Sequence, residues 1–158
     1  MSYNIQYMGQ CFPSRDILIY ADSIKHDNYK TSTIKQFRRR FPLMDGMELF
    51  LQQIALRIVD MPEIRKLTGT LLQLEPVFFS VSQGCEEHTD ELDPEVYTNT
   101  TVVIPLVVPE GKCELTVDGD SLNLVRNGIY LFQHDRPHSL QLDDKTSGCT
   151  VLMIAIKK

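Results

Sequence analysis

A chain of 158 residues, 42% apolar and 23% charged, has the size and composition of one soluble domain with one hydrophobic core. A net charge of -5 works against general adhesion to phosphate backbones, so nucleic acid is not a favoured partner, and no apolar run approaches the length of a membrane span. Cys11, Cys85, Cys113 and Cys149 show no CxxC spacing and the N-terminus has no apolar h-region, which predicts free thiols in a reducing cytoplasm rather than a disulfide framework or a four-cysteine zinc site.

Residues 1–68 read as a helical support region for the remainder of the chain. The segment 16–21 (DILIYA) suits either a strand or the start of a helix. His26, in the polar stretch KHDNYK, is expected at the surface. Residues 32–40 predict a short helix, and its basic end, Arg38, Arg39 and Arg40, is expected to be solvated. In 45–59 (DGMELFLQQIALRIV) the apolar positions Met47, Leu49, Phe50, Ile54, Leu56 and Ile58 predict a helix packed on a sheet. Asp45 is its expected cap, and Pro62 stops its continuation.

From residue 69 the texture turns to β. Strands are predicted at 70–82, 100–108, 113–118, 121–126, 128–132, 138–142 and 150–156, between turn signals such as Ser82-Gln83-Gly84, Asp118-Gly119-Asp120 and Arg126-Asn127-Gly128. Apolar and polar residues alternate in Leu115-Thr116-Val117 and in Leu122-Asn123-Leu124, as in a half-buried sheet. Short strands at this spacing predict a sandwich, barrel or jelly roll over residues 69–158. Of the neighbours Phe78 and Phe79, one is expected to face inward and the other to meet the front helix.

The chemistry-bearing residues lie in two blocks. In EEHTD, His88 and Asp90 are two apart, so an extended chain turns both to one side. His138 follows a strand, Gly128 to Phe132, and a short loop, QHDRP. Two histidines and one carboxylate form the facial set used by non-haem Fe(II) oxygenases, with coordination positions left open. His134 is the competitor to His138 and is expected to be exposed in its loop. Cys85, close to the set, is read as structural.

The order of these blocks resembles the 2-oxoglutarate- and iron-dependent oxygenase superfamily. There, an HxD pair ends one strand of a double-stranded β-helix, and a glycine, an apolar strand ending in Phe, a short loop and a His supply the distal ligand. The resemblance covers residues 70–157. It implies a mostly β jelly-roll barrel of the cupin-like kind behind N-terminal helices, with Fe(II) held by His88, Asp90 and His138. It also implies 2-oxoglutarate as cosubstrate and oxidation of a small molecule or protein held over the barrel mouth. Contacts would come from residues 91–99 and the front region, with Tyr97, Asn99 and Thr101 near the metal.

One feature departs from the superfamily. An Arg or Lys about ten residues beyond the distal His normally meets the far carboxylate of 2-oxoglutarate, and here Cys149 stands at that place. Lys112, Arg126, Arg136 and Lys145 are the candidate substitutes. The departure leaves two further readings open. One is a cupin-like metalloprotein without 2-oxoglutarate, although cupins usually carry HxH and a following Glu. The other is a non-catalytic jelly-roll binding or inhibitory protein.

Overall fold

Apolar runs with a period of two give this chain an antiparallel sheet with two different faces. The structure, a computed structural model, describes residues 4–24, 36–41, 43–68, 72–143 and 148–158. In chain order its elements are β1 (Ile5–Gln10), α1 (Arg15–Ser23), β2 (Gln36–Phe41), α2 (Glu48–Ile58), α3 (Pro62–Thr68), β3 (Gln73–His88) and β4 (Tyr97–Val107). There follow β5 (Cys113–Val117), β6 (Asp120–Asn123), β7 (Gly128–Gln133), β8 (His138–Leu142) and β9 (Cys149–Lys157). The strands run in the order β1-β7-β4-β9-β3-β8-β5-β6, with β2 added on β3. The backbone of Asn4 donates to Asp120 Oδ2 at 3.0 Å, bringing the two ends of this path together. The fold is a double-stranded β-helix of the jelly-roll type.

The two faces bury different partners. β9 pairs with β3 on one side and β4 on the other, and its near-continuous apolar sequence reflects burial on both faces. Outward, Leu152, Ile154 and Ile156 join Ile104 and Phe78 against the helices, which contribute Ile17 and Ala21 from α1 and Phe50, Ile54 and Ile58 from α2. Phe78 meets Tyr20 of α1 edge-on, with ring centroids 5.0 Å apart. Inward, Val151, Val81, Val103, Leu115 and Phe132 form a second core, on which Phe79 packs.

Several expectations change. DILIYA is helical because Ser14 Oγ accepts from the Ile17 backbone at 3.3 Å and caps α1. Residues 36–41 are strand rather than helix, since a ladder on β3 outweighs the helix propensity of the arginines; residues 32–35 lie outside the described set, as do His26 and Lys145. The front region is therefore more than helical support, because β1 pairs with β7 and β2 with β3. Asp45 does not cap α2: Met47 occupies the cap position without a side-chain bond. Ser82-Gln83-Gly84 is no turn but part of β3, and β6 ends at Asn123 rather than at residue 126. Among the described residues, no helix is long and apolar enough to cross a membrane.

Candidate metal centre

The site begins with a change of partner along β3. Up to Val81 the strand pairs with β9, and from Gly84 it pairs with β8. Gly84 makes the passage possible. Its φ is +95°, and a Cβ there would collide with the Leu140 carbonyl oxygen. The ladder then sets His88, at the end of β3, opposite His138, at the start of β8, with ring centroids 4.4 Å apart. Phe132 of β7 packs on the His138 ring at 4.9 Å.

Asp90 completes the set from the loop after β3. Its Oδ1 lies 3.4 Å from His88 Nε2 and its Oδ2 3.2 Å from His138 Nε2. The loop is tied down by main-chain bonds: Asp90 N donates to His134 O at 2.9 Å, and His134 N donates to Asn99 O at 2.9 Å.

The protonation pattern of the two histidines fits a cation. His88 Nδ1 donates to the Glu86 carbonyl at 2.7 Å, and His138 Nδ1 donates to the Arg136 carbonyl at 2.8 Å. A carbonyl only accepts, so each Nδ1 carries the hydrogen and the neutral ring has its lone pair on Nε2. Those lone pairs and the Asp90 carboxylate converge, with the three ligand atoms within 4.8 Å of one another. In that tautomer the two ring nitrogens and the carboxylate offer electron pairs toward one point, the arrangement a metal ion takes, and carbonyl-anchored imidazoles are the usual outer support of such a site. The donor set, two nitrogens and a carboxylate, suits iron(II) and related divalent metals.

Beside the triad lies a cavity of about 50 Å³. Phe79, Val81, Val103, Leu115, Val151 and Met153 line it, with Cys85 and Ser139, and no described side chain in its wall is cationic. Cys149 belongs to the same inner core, and its thiol is hydrogen-bonded to that of Cys113. That bond, then burial, raises the Cys149 pKa well above its ordinary value and keeps it neutral. The described candidate cations are engaged elsewhere. Arg126 donates to the Leu106 carbonyl and faces Asp22. Arg136 binds Asn4, Asp118 and Gln133, and Lys112 lies 3.9 Å from Glu114. The far carboxylate of 2-oxoglutarate therefore finds no counter-charge among the described side chains, and these residues do not fit it.

Of the other expected residues, Tyr97 and Asn99 line a groove on the far side of Asp90, together with His134. Tyr97 Oη donates to Glu75 Oε2 at 2.9 Å. Thr101 is buried and hydrogen-bonded through Oγ1 to His134 Nδ1 at 2.7 Å. His134 is thus buried at 4% exposure, contrary to expectation. The loop folds inward because its main chain bonds to both Asp90 and Asn99. The supporting role of His134 and Thr101 had no signal in residue spacing.

No family model matches the sequence, and no curated protein matches it. Solved structures match it in fold. A Pseudomonas putida prolyl-4-hydroxylase aligns with a TM-score of 0.63 at 12% identity, over 99% of this chain and 94% of that one. A viral collagen prolyl hydroxylase from Paramecium bursaria Chlorella virus-1 gives 0.54 at 12% identity, over 80% and 76%. An oxidoreductase of the 2OG-Fe(II) oxygenase family from Burkholderia pseudomallei gives 0.51 at 14% identity, over 90% and 76%. The chain has the fold of the 2-oxoglutarate- and Fe(II)-dependent oxygenases. Within that fold it carries a His-Asp-His triad at the ends of two paired strands.

Proposed function

We propose that this protein is a mononuclear non-haem Fe(II) oxygenase whose metal is held by His88, Asp90 and His138. The observation that carries the reading is the convergence of two Nε2 lone pairs and a carboxylate, with both Nδ1 hydrogens already committed to main-chain carbonyls. Fe(II) held there would supply dioxygen activation at the positions that three protein ligands leave open. The chain's own residues do the remaining work. The Glu86 and Arg136 carbonyls fix the ring tautomers, the His134 carbonyl holds the Asp90 loop, and the apolar cavity wall keeps water from the inner side. The groove beside Asp90, where Tyr97 and Asn99 stand, is the place for a small-molecule or protein substrate.

A second reading shares the triad but dispenses with 2-oxoglutarate, as a cupin-like metalloprotein does. The uncharged wall of the described cavity favours it.

The test is an anaerobic titration of the metal-stripped protein with Fe(II), then with 2-oxoglutarate, followed by visible absorption. One equivalent of iron is expected in the parent, with affinity more than about 100-fold weaker in His88→Ala and His138→Ala. A charge-transfer band on adding 2-oxoglutarate supports the oxygenase with that cosubstrate. Iron binding with no band favours the second reading. A parent that binds no iron overturns both and leaves a binding scaffold.

A further inference from the structure

The cavity beside the triad has a wall of one chemical kind, and strand register sets it. Three cross-strand pairs build it: Phe79 of β3 opposite Val151 of β9, Val103 of β4 opposite Met153 of β9, and Leu115 of β5 opposite Leu140 of β8. Directly opposed residues of an antiparallel ladder share a face of the sheet, so each pair turns its hydrocarbon toward the same space. Besides His88, Asp90 and His138, the polar side chains among the described lining are Cys85 and Ser139, and neither type carries a positive charge. The cavity measures about 50 Å³, room for a group of about four non-hydrogen atoms. Small voids also arise from imperfect core packing. This one differs because the three converging metal-directed groups form part of its wall.

We infer that the organic ligand of this site is a small monoanion that chelates the metal through its head and lays an uncharged hydrocarbon tail against the apolar wall. The inference rests on the reading of His88, Asp90 and His138 as a metal site, and it gives a ligand class to the form of that reading without 2-oxoglutarate. Charge counting supports it. A divalent ion held by two neutral imidazoles and one carboxylate leaves one positive charge. A monoanion neutralises that charge, whereas a dianion leaves a negative charge in a space where no described side chain answers it. The tail follows from the wall: each methylene moved there from water gains about four-fold in affinity, and a carboxylate buried there unpaired loses more than that.

The experiment uses the full chain loaded anaerobically with Fe(II), with metal affinity measured first on every sample. Calorimetric titration then compares 4-methyl-2-oxopentanoate with 2-oxoglutarate. These acids share one chelating head and have tails of similar size, one ending in a branched hydrocarbon and the other in a carboxylate. The parent is expected to bind the branched acid at least about ten-fold more tightly. Leu115→Phe, which fills the cavity, should weaken that acid at least about ten-fold and leave metal affinity unchanged. Val151→Thr keeps the side-chain shape and guards against a folding defect. Its hydroxyl should weaken the branched acid about three-fold to ten-fold and bind 2-oxoglutarate no less tightly than the parent does. A parent that binds 2-oxoglutarate equally or more tightly, or binds neither acid, overturns the inference. An undiminished preference in the variants that still bind metal does so too, since it would put the tail in the groove beside Asp90 rather than in the cavity. Failure of the parent to bind metal defeats the underlying site as well, and is seen before either acid is added.

Discussion

The two walls of the cavity are built by different rules. On the β3–β8 wall main-chain hydrogen bonds orient the ligating groups: the Nδ1 hydrogens of His88 and His138 go to main-chain carbonyls two residues before each ring, and the Asp90 backbone is held by His134. On the β4–β9 wall Val103, Val151 and Met153 present only apolar surface, with the buried thiol of Cys149 in the core beside them. The first wall sets the direction of its polar groups by main-chain hydrogen bonds, whereas the second is an apolar surface assembled by long-range strand pairing.

The sharpest way to break the first wall is at the bend of β3. Gly84→Ala puts a Cβ into the Leu140 carbonyl and forces a side chain into the left-handed region. It is expected to cost about 3 kcal/mol of unfolding free energy in urea denaturation. Gly119→Ala is the matched control: Gly119 also has positive φ, at +90°, but its added Cβ meets nothing within 4 Å. Its cost should stay near the strain of about 1–2 kcal/mol alone. Equal losses in the two variants would show that the Leu140 backbone yields freely and that the change of partner needs no glycine.

The same contrast explains what the sequence disclosed. His88 ends a strand with Asp90 two residues on, and His138 follows a Gly-to-Phe strand and a loop, so the triad lay in two short, local blocks. The jelly-roll portion was legible for the same reason, through strands with period two and turn residues between them. The front region was not. FRRRF has the composition of a helix end and becomes a strand only because the edge of β3 is there to receive it. Ser82-Gln83-Gly84 carries turn residues, yet the glycine serves a bend inside a 16-residue strand. His134 looked like a loop residue because its burial depends on Asn99, Thr101 and Asp90, all at least 33 residues away in sequence.

That supporting shell gives a smaller prediction. Thr101→Val keeps shape and removes the buried hydrogen bond to His134 Nδ1. The expected loss is about 1–2 kcal/mol of stability. Fe(II) affinity should fall by less than about ten-fold, because Asp90 is tied to the His134 main chain rather than to its ring. A drop as large as that of a ligand variant would place Thr101 in the metal's immediate surroundings and blur the division between holding the loop and holding the ion.

The smallest expected effect is one of pH. Burial holds the His134 pKa below its ordinary 6.5, against the raising pull of Asp90 and Asp135. In the unfolded chain His134 takes up a proton as the pH falls through about 6.5, while in the folded chain it resists that proton to lower pH. Over that interval the unfolded state binds more protons, so the His134 contribution to stability is present above pH 6.5 and is lost on acidification. His134→Gln retains a hydrogen-bonding side chain beside Thr101 without a group that titrates. Urea denaturation of parent and variant between about pH 7.5 and 5.5 should give a shallower decline for the variant, the difference being smaller than the loss in Thr101→Val. Parallel curves would assign the acid sensitivity to other groups and leave His134 as a support that acts through its main chain alone.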